Sequence, residues 1–558
     1  MNKKIFLIIT VVLFISVVYS REIENSTTWV AYDFFKESRD TFLLLDADVA
    51  FRVMNLWGIT HENALKYAED TKDIIKFLNE NGRKTSAMLG GISISSQDSE
   101  LFKERAGARN PLGHLVYIDD KTLHGCYNRK EWQDFLNKLL DILASNKVDF
   151  VELDQPAQEH WRGECYCDVC INGFTEYLKK NGKSQQSNFN YVNYLHGIRL
   201  AHVNEGDREM YSPLGQDYWR YQIEKDNNNV KKLVDNFRKK HSGIKIFGNS
   251  WGLAGEYIPA VSSYDYIDIA GDLRTPWLWE PSHQLFGSPY NSWIPVVKMA
   301  QSLSDKKILS FLDTYPYERV LKDFKSEKDE ILNIFAAEML ASGAEFVFPY
   351  SNRVAYNQYD EFSKRNIRNF LTFIKTNNDL FGKRNTDSDI LVTAPQEKVI
   401  TKRFFKQYWA VCYYLLDNGY DFDFKWSEKV TENDRKNYKI IINTANYSEN
   451  IFRYADTKNI GFIKEIADLF NGYNKKITTD LKNARVFNYS NSSGENIFHI
   501  VNPSRNTGDE KWNITINNLK DISKVAFYPE NLVYEIEKTS DSTIIKFNKT
   551  TTYVIVKQ

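Results

Sequence analysis

Val148-Asp-Phe-Val-Glu-Leu-Asp154, continuing as Gln155-Pro-Ala-Gln-Glu-His-Trp161-Arg-Gly-Glu-Cys165-Tyr-Cys167-Asp-Val-Cys170, decides the fold. Its first seven residues read as a short buried strand that ends on a carboxylate. Just ahead of it, Trp132, Phe135, Leu136, Leu139 and Leu143 recur at helical spacing, the apolar stripe of a helix that packs on the strand. Helix, then strand, then an acidic residue at the strand's carboxyl end is the unit of a parallel sheet wrapped by helices. In barrels of that kind the chemistry sits at the carboxyl ends of the strands. Side chains alternate across a strand, so Phe150, Glu152 and Asp154 share one face and Val151 and Leu153 the other. Val151 and Leu153 suit the helix side. Glu152 and Asp154 then point inward.

Working outward, short apolar runs alternate with amphipathic stretches from about residue 49 to 352. Candidate strands are 49–56, 85–89, 115–118, 148–154, 244–249, 266–270, 308–313 and 345–350, bounded as strands should be. Eight is the number that closes a barrel. A helix at about 63–79 stops ahead of Gly82, a suitable end signal. The predicted fold is therefore α/β, a (β/α)8 TIM barrel over residues 21–385. Residues 386–474 keep an α/β texture, with strands at 389–392 and 439–442 and helices at 404–416 and 460–470. Residues 475–558 change to short alternating runs separated by Asn, Ser, Gly and Pro, the spacing of a small C-terminal β-sandwich.

Residues 1–20 read as a signal peptide. Lys3 and Lys4 precede an apolar run at 5–18, and Val18 and Ser20 supply small residues before Arg21, which predicts a secreted or periplasmic protein. No later stretch approaches the roughly 20 apolar residues of a membrane span, so no membrane contact is expected after cleavage. The 72 basic and 73 acidic residues leave a formal charge of -1, which argues against a nucleic-acid partner. The 12 Trp, 33 Tyr and 35 Phe are enough to line a sugar site as well as a core, since ring faces stack on the C–H faces of sugars.

Of the five cysteines, three crowd into Cys165-Tyr-Cys167-Asp-Val-Cys170, and Cys126 precedes the helix that feeds the strand at 148–154. On a barrel those four share one rim. Four thiolates converging on a tetrahedral structural zinc is one solution, with no position left open for water. One or two disulfides is the other, and an exported protein permits them. Cys412 sits in an apolar helix and reads as a small core residue.

The run from Val151 to Leu178, with Cys165-x-Cys167-x-x-Cys170 followed by Phe174-Thr-Glu-Tyr177-Leu178, resembles the fourth-strand segment of glycoside hydrolase family 42, the β-galactosidases. Cys126-Tyr-Asn-Arg-Lys-Glu-Trp132 is similar to the upstream part of that family's zinc site, and Ala341-Ser-Gly-Ala-Glu345 to its passage into the last barrel strand. The resemblance implies a catalytic carboxylate at the end of strand four, zinc on Cys126, Cys165, Cys167 and Cys170, and a glutamine-amidotransferase-like α/β domain ahead of the small β-domain. It also implies a hydrolase of O-glycosidic bonds, β-galactosidase-like in activity. Two places depart from the family: Leu153-Asp154 stands where it has Asn-Glu, and Leu312-Asp313-Thr314 where it has a strand-seven Glu. The chain thus resembles a distant relative or a sister family.

Glycosidic cleavage needs two carboxyl groups, one protonating the leaving oxygen and the other attacking or activating water. Asp154 is the expected acid/base and Asp313 its partner, with Asp272 as the next choice. Glu152, Trp57, Trp161, Asn249, Trp251 and Trp277, all at or near predicted strand ends, are the candidate substrate contacts. Trp279 and Trp293 belong to the same group. A carbohydrate is the expected partner, no organic cofactor is called for, and a homo-oligomer formed through the second domain is the protein contact left open. The competing expectation is a carbohydrate-binding protein on a barrel without catalysis.

Overall fold

A computed structural model describes residues 27–32, 38–56, 60–90, 93–117, 120–154, 165–183, 213–249, 261–271, 292–312, 328–348, 361–382, 384–396, 406–447, 460–503, 510–517, 521–529 and 532–558. Eight parallel strands close into a barrel: β1 (Trp29–Ala31), β2 (Val49–Leu56), β3 (Lys84–Gly90), β4 (Phe150–Asp154), β5 (Lys245–Asn249), β6 (Tyr266–Gly271), β7 (Lys307–Leu312) and β8 (Glu345–Phe348). Seven of these are the strands expected from the sequence. The run at 115–118 is not among them. Leu115 and Tyr117 instead make isolated antiparallel bridges to Arg109 and Leu123, within the excursion that follows β3. The true first strand, β1, spans only three residues, too few to show a period of two.

Each strand's alternation sorts its side chains between two cores. Trp29, Val49, Phe51, Phe150, Phe247, Leu309, Phe311 and Val347 fill the barrel interior, with Trp29 and Phe150 ring centres 5.0 Å apart. Val151, Leu153, Ile246, Ile267 and Ile308 point the other way, into the larger core beneath the helices. Burying each such side chain is worth roughly 1.5–3 kcal/mol, so a one-residue slip of β4 would exchange the two sets and lose both. At the barrel floor Glu345 is buried and accepts from Trp29 Nε1 at 2.6 Å and from Lys307 Nζ at 3.2 Å.

The helices on the outside are α1 (Ser38–Leu45), α2 (His61–Glu80), α3 (Lys130–Ser145), α4 (Asp168–Lys180), α5 (Pro213–Lys240), α6 (Ile294–Leu303), α7 (Lys328–Ser342) and α8 (Glu361–Thr376). Gly343, at φ 94°, ends α7 in the left-handed conformation that glycine tolerates best, and β8 starts two residues later. Among the described residues no helix is long and apolar enough to cross a membrane.

Behind the barrel, Ile390–Ala394 is the centre of a three-stranded parallel sheet, flanked by Asp423–Trp426 and Ile440–Asn443. The C-terminal region is two antiparallel sheets, one of five strands and one of four, and the five-stranded sheet takes its edge from Arg384–Thr386. Val486, Phe498, Ile500, Val554 and Val556 of one sheet face Trp512, Ile514, Ile516, Ile545 and Phe547 of the other. The opposite face of the five-stranded sheet, including Phe487, Tyr489 and Ile555, joins the main core. Two buried ion clusters hold the three regions together. Arg485 of the sandwich meets Glu338 of α7 at 3.5 Å and also Asp417. Lys298 of α6 meets Asp421 at 3.2 Å and Asp423 at 3.6 Å.

Candidate functional site

β4 brings both of its acidic residues to the inside, as the alternation of 148–154 requires. Their surroundings differ. Glu152 has no exposure, whereas Asp154, one pair further toward the carboxyl end, keeps 8%. Both oxygens of Glu152 are taken by Arg52, whose Nε and Nη2 donate to Oε2 at 2.7 Å and Oε1 at 2.5 Å. The same Nη2 lies 4.0 Å from Asp154 Oδ1. Asp154 Oδ1 accepts from Asn249 Nδ2 at 2.5 Å, because β4 and β5 pair in a register that sets Asp154 beside Asn249. In the next strand, Asp268 of β6 is the register partner of Asn249.

Arg52 reaches this place only because β2 is irregular. The pairing of β2 with β3 shifts register between Ala50 and Met54, and Arg52 has φ 55°, where non-glycine residues are uncommon. Its N–H donates to Ser86 Oγ at 2.7 Å instead of to a ladder partner. A regular strand would send residue 52 toward the helices, opposite to Phe51. The bulge turns it inward, and its guanidinium then rests 4.2 Å from the Phe311 ring centre and 5.0 Å from that of Phe51. Strain of this kind costs about 1–3 kcal/mol and gathers at sites that need a particular side-chain placement. Arg52 was not among the residues singled out from sequence. Its signal was available all the same, as the one charge in Val49-Ala-Phe-Arg-Val-Met-Asn-Leu56.

Tyr127 is buried in the core outside the barrel, in the same cluster as Tyr264 and Leu153. Its phenol is buried and pushed well above the usual tyrosine range by desolvation, with Tyr264, Asp226 and Asp154 adding to the effect. β5 comes close to the same cluster at Gly248, where a Cβ would stand 2.3 Å from the Tyr264 ring. Of the other expected contacts, Asn249 is in the site. Trp57, Trp161, Trp251, Trp277, Trp279, Asp272 and Asp313 lie outside the described residues. Trp293 is 1% exposed and packed in the core ahead of α6, so its ring serves packing and not stacking on a ligand. Chemically, the described part of the site is one carboxyl group at the mouth, held by an amide, with a fixed cation beneath it.

The second cluster lies on the rim. Cys126, Cys165, Cys167 and Cys170 are all buried, and their sulfurs lie within 4.8 Å of one another. Cys126 Sγ is 3.8 Å from Cys167 Sγ and 3.6 Å from Cys170 Sγ. All five cysteines of the chain are free thiols. Four sulfurs at the zinc–sulfur distance from one ion, about 2.3 Å, form a tetrahedron with edges of about 3.8 Å, and the observed spacing fits that figure. The donor set therefore could hold a metal ion. The surroundings suit thiolates: Asn128 Nδ2 donates to Cys170 Sγ at 3.2 Å, Lys225 Nζ to the same sulfur at 3.1 Å, and the Arg109 N–H to Cys165 Sγ at 3.4 Å. Cys412 is buried in the helix Lys406–Asp417, away from this group.

No protein-family model and no curated protein matches the sequence. Solved structures do match. α-L-Fucosidase isoenzyme 2 from Paenibacillus thiaminolyticus superposes with a TM-score of 0.60 at 10% identity, covering 96% of this chain and 99% of its own. A β-galactosidase from Bacillus circulans sp. alkalophilus gives 0.61 at 11% identity, covering 96% and 99%. A catalytic mutant of a family 42 β-galactosidase from G. stearothermophilus gives 0.61 at 10% identity, covering 97% and 99%. The chain has the fold of the family 42 β-galactosidases. The likeness takes in the regions behind the barrel as well as the barrel itself, which agrees with the resemblance seen around the cysteines. At such identity it carries the architecture, and the chemistry has to be argued from the residues.

Proposed function

We propose that the chain is a secreted glycoside hydrolase that cleaves an O-glycosidic bond with a pair of barrel carboxyl groups. One observation carries the reading: in a barrel shared with β-galactosidases and a fucosidase, Asp154 sits at the carboxyl end of β4, inside the barrel, and keeps 8% exposure where Glu152 keeps none. Barrel enzymes keep their catalytic groups at that end. Asp154 is the acid/base, and Asn249 holds one of its oxygens so that the other faces the substrate. Asp313, directly after β7, is the nucleophile or second base, with Asp272, directly after β6, in reserve. Glu152 anchors Arg52 beneath them. Stacking on Trp57, Trp161, Trp251 and Trp277 would orient the sugar. The four-cysteine cluster holds a structural zinc, and residues 1–20 direct export.

The test separates the two carboxyl roles. Removing a nucleophile abolishes turnover of every substrate, whereas removing the acid spares substrates whose leaving group needs little protonation. On a panel of aryl glycosides that includes β-galactosides and α-fucosides, Asp313→Ala should be inactive throughout. Asp154→Ala should keep activity on activated aryl leaving groups and lose it on alkyl and sugar ones. If Asp272→Ala is inactive and Asp313→Ala is not, the pair lies on β4 and β6. Binding of sugars without turnover of any of them, with Asp154→Asn changing only affinity, would replace the hydrolase by a carbohydrate-binding barrel.

A further inference from the structure

We propose that a cleft on the outer flank of the barrel, between α3, α4 and α5, is a second glycan-binding site. The cleft measures about 560 Å³ and is walled by residues of those helices and by Asn128 just ahead of α3; none belongs to a barrel strand. Ligand clefts run from about 300 to 1,000 Å³, so a short oligosaccharide is of the right size. Three features select a sugar over other ligands.

The first is an aromatic wall. Tyr177 is half-buried and is held by Phe174, with ring centres 6.2 Å apart and planes at 20°, and by Tyr221 at 5.6 Å. Its ring is fixed without being covered, which suits stacking on a pyranose face. The second is the carboxamide of Asn228, exposed on the cleft wall, beside the amide oxygens of Gln133 and Asn229, whose nitrogens are held by the Tyr127 carbonyl at 2.6 Å and by Asn128 Oδ1 at 2.9 Å. A carboxamide offers a donor and an acceptor side by side, a match for the neighbouring hydroxyls of a sugar. The third is charge. Lys180, Lys225 and Lys232 line the cleft together with Glu176 and Glu224, and Lys225 is already engaged by Cys170 Sγ at 3.1 Å and by the Tyr221 ring at 4.6 Å. Glu176 is also met by Lys179 at 2.7 Å, so Lys180 and Lys232 against Glu224 leave about one positive charge, too weak a field to select a nucleic acid or an acidic chain over an uncharged ligand.

The floor of the cleft is hydrogen-bonded in place. Asn128 donates to Cys170 Sγ at 3.2 Å and accepts from Asn229 Nδ2 at 2.9 Å, so the cysteine cluster and the cleft share a wall. A preorganised surface loses less freedom on binding. The site takes its ligand class from the glycosidase reading but needs none of that reading's chemistry. It would hold a glycan on the enzyme's flank while another part of the chain is cut at the mouth.

The test uses the full-length Asp154→Asn protein on an array of immobilised neutral oligosaccharides ending in galactose or fucose. Retention is expected, and adding Tyr177→Ala or Asn228→Lys should weaken it at least tenfold. Asn228 is exposed, so that change tests the cleft even if Tyr177→Ala disturbs folding. With Asp154 intact, both variants should turn over small aryl glycosides within twofold of the parent. Retention unchanged by both variants overturns the proposal, as does an array that retains nothing. If no variant or parent turns over any glycoside while the cleft variants still lose retention, the cleft stands and the hydrolase reading falls.

Discussion

Replacing Arg52 by Met should destabilise the barrel by about 3 kcal/mol, the lower end of the 3–5 kcal/mol seen when one partner of a buried ion pair is removed. The lower end applies because the Arg52 side chain is 19% exposed, while that of Glu152 is 0% exposed. Both Glu152 oxygens lose their donor, at 2.5 and 2.7 Å, and a carboxylate is left with no water to replace it. Met at position 52 inherits the same backbone at φ 55°, so the strain of the bulge is common to both proteins and cancels. The double change Arg52→Met with Glu152→Gln removes the orphaned charge and should recover more than half of the loss. The coupling between the two sites is then at least about 1.5 kcal/mol, half of the ~3 kcal/mol loss, plus whatever Glu152→Gln costs alone, within the range for residues in contact. Guanidinium unfolding of the parent, both single variants and the double variant, followed by Trp fluorescence at pH 7, measures it. Adding 0.5 M NaCl to a parallel thermal series should leave the coupling nearly unchanged, because buried pairs are poorly screened. A loss below about 1 kcal/mol for Arg52→Met, or simple additivity in the double variant, would refute the reasoning.

Elemental analysis of the purified protein should find about one zinc per chain, and Cys167→Ser should lower both the metal content and the melting temperature, because a structural metal's binding energy is folding energy; full stability without metal would dismiss the site. Burial pushes Asp417 and Asp421 up to about 6 despite Arg485 and Lys298 beside them. A carboxyl group raised in the folded state adds stability below its ordinary value near 4, and that contribution is lost as pH climbs through 6. Each group is worth on the order of 2–3 kcal/mol across that window, and refolding should take up protons between pH 4 and 6. Calorimetry in two buffers of different ionisation heat checks this, and Asp421→Asn should remove part of the uptake; an unchanged uptake would contradict the assignment. Gly248→Ala puts a methyl group 2.3 Å from the Tyr264 ring, so Tyr264 or β5 must move, at a cost of about 1–3 kcal/mol. Asn249 would shift with the strand, and the variant should show a lower melting temperature together with a lower kcat; a normal kcat would place Asn249 outside the chemistry.

Local period determined a good deal here by sequence alone. The alternation in 148–154 set Glu152 and Asp154 on the inner face, because strand side chains must alternate and Val151 and Leu153 have to meet helices. The spacing of Cys165, Cys167 and Cys170 determined a compact thiol group, since three residues so close in the chain cannot diverge far. The number of barrel strands was also legible, although one was misplaced: β1 is too short to show its period, and the run at 115–118 mimics a strand while lying in a connection. What only the tertiary structure decided is which groups meet. Arg52 turns inward through a bulge that depends on how β2 registers against β3. Asn249 reaches Asp154 through the pairing of two strands separated by nearly a hundred residues. Lys225 comes to Cys170, and Arg485 to Glu338 and Asp417, only when distant helices and sheets pack. Periodicity is a property of a single segment and is written along it, whereas a contact across the fold depends on the register and packing of two segments and is written in neither.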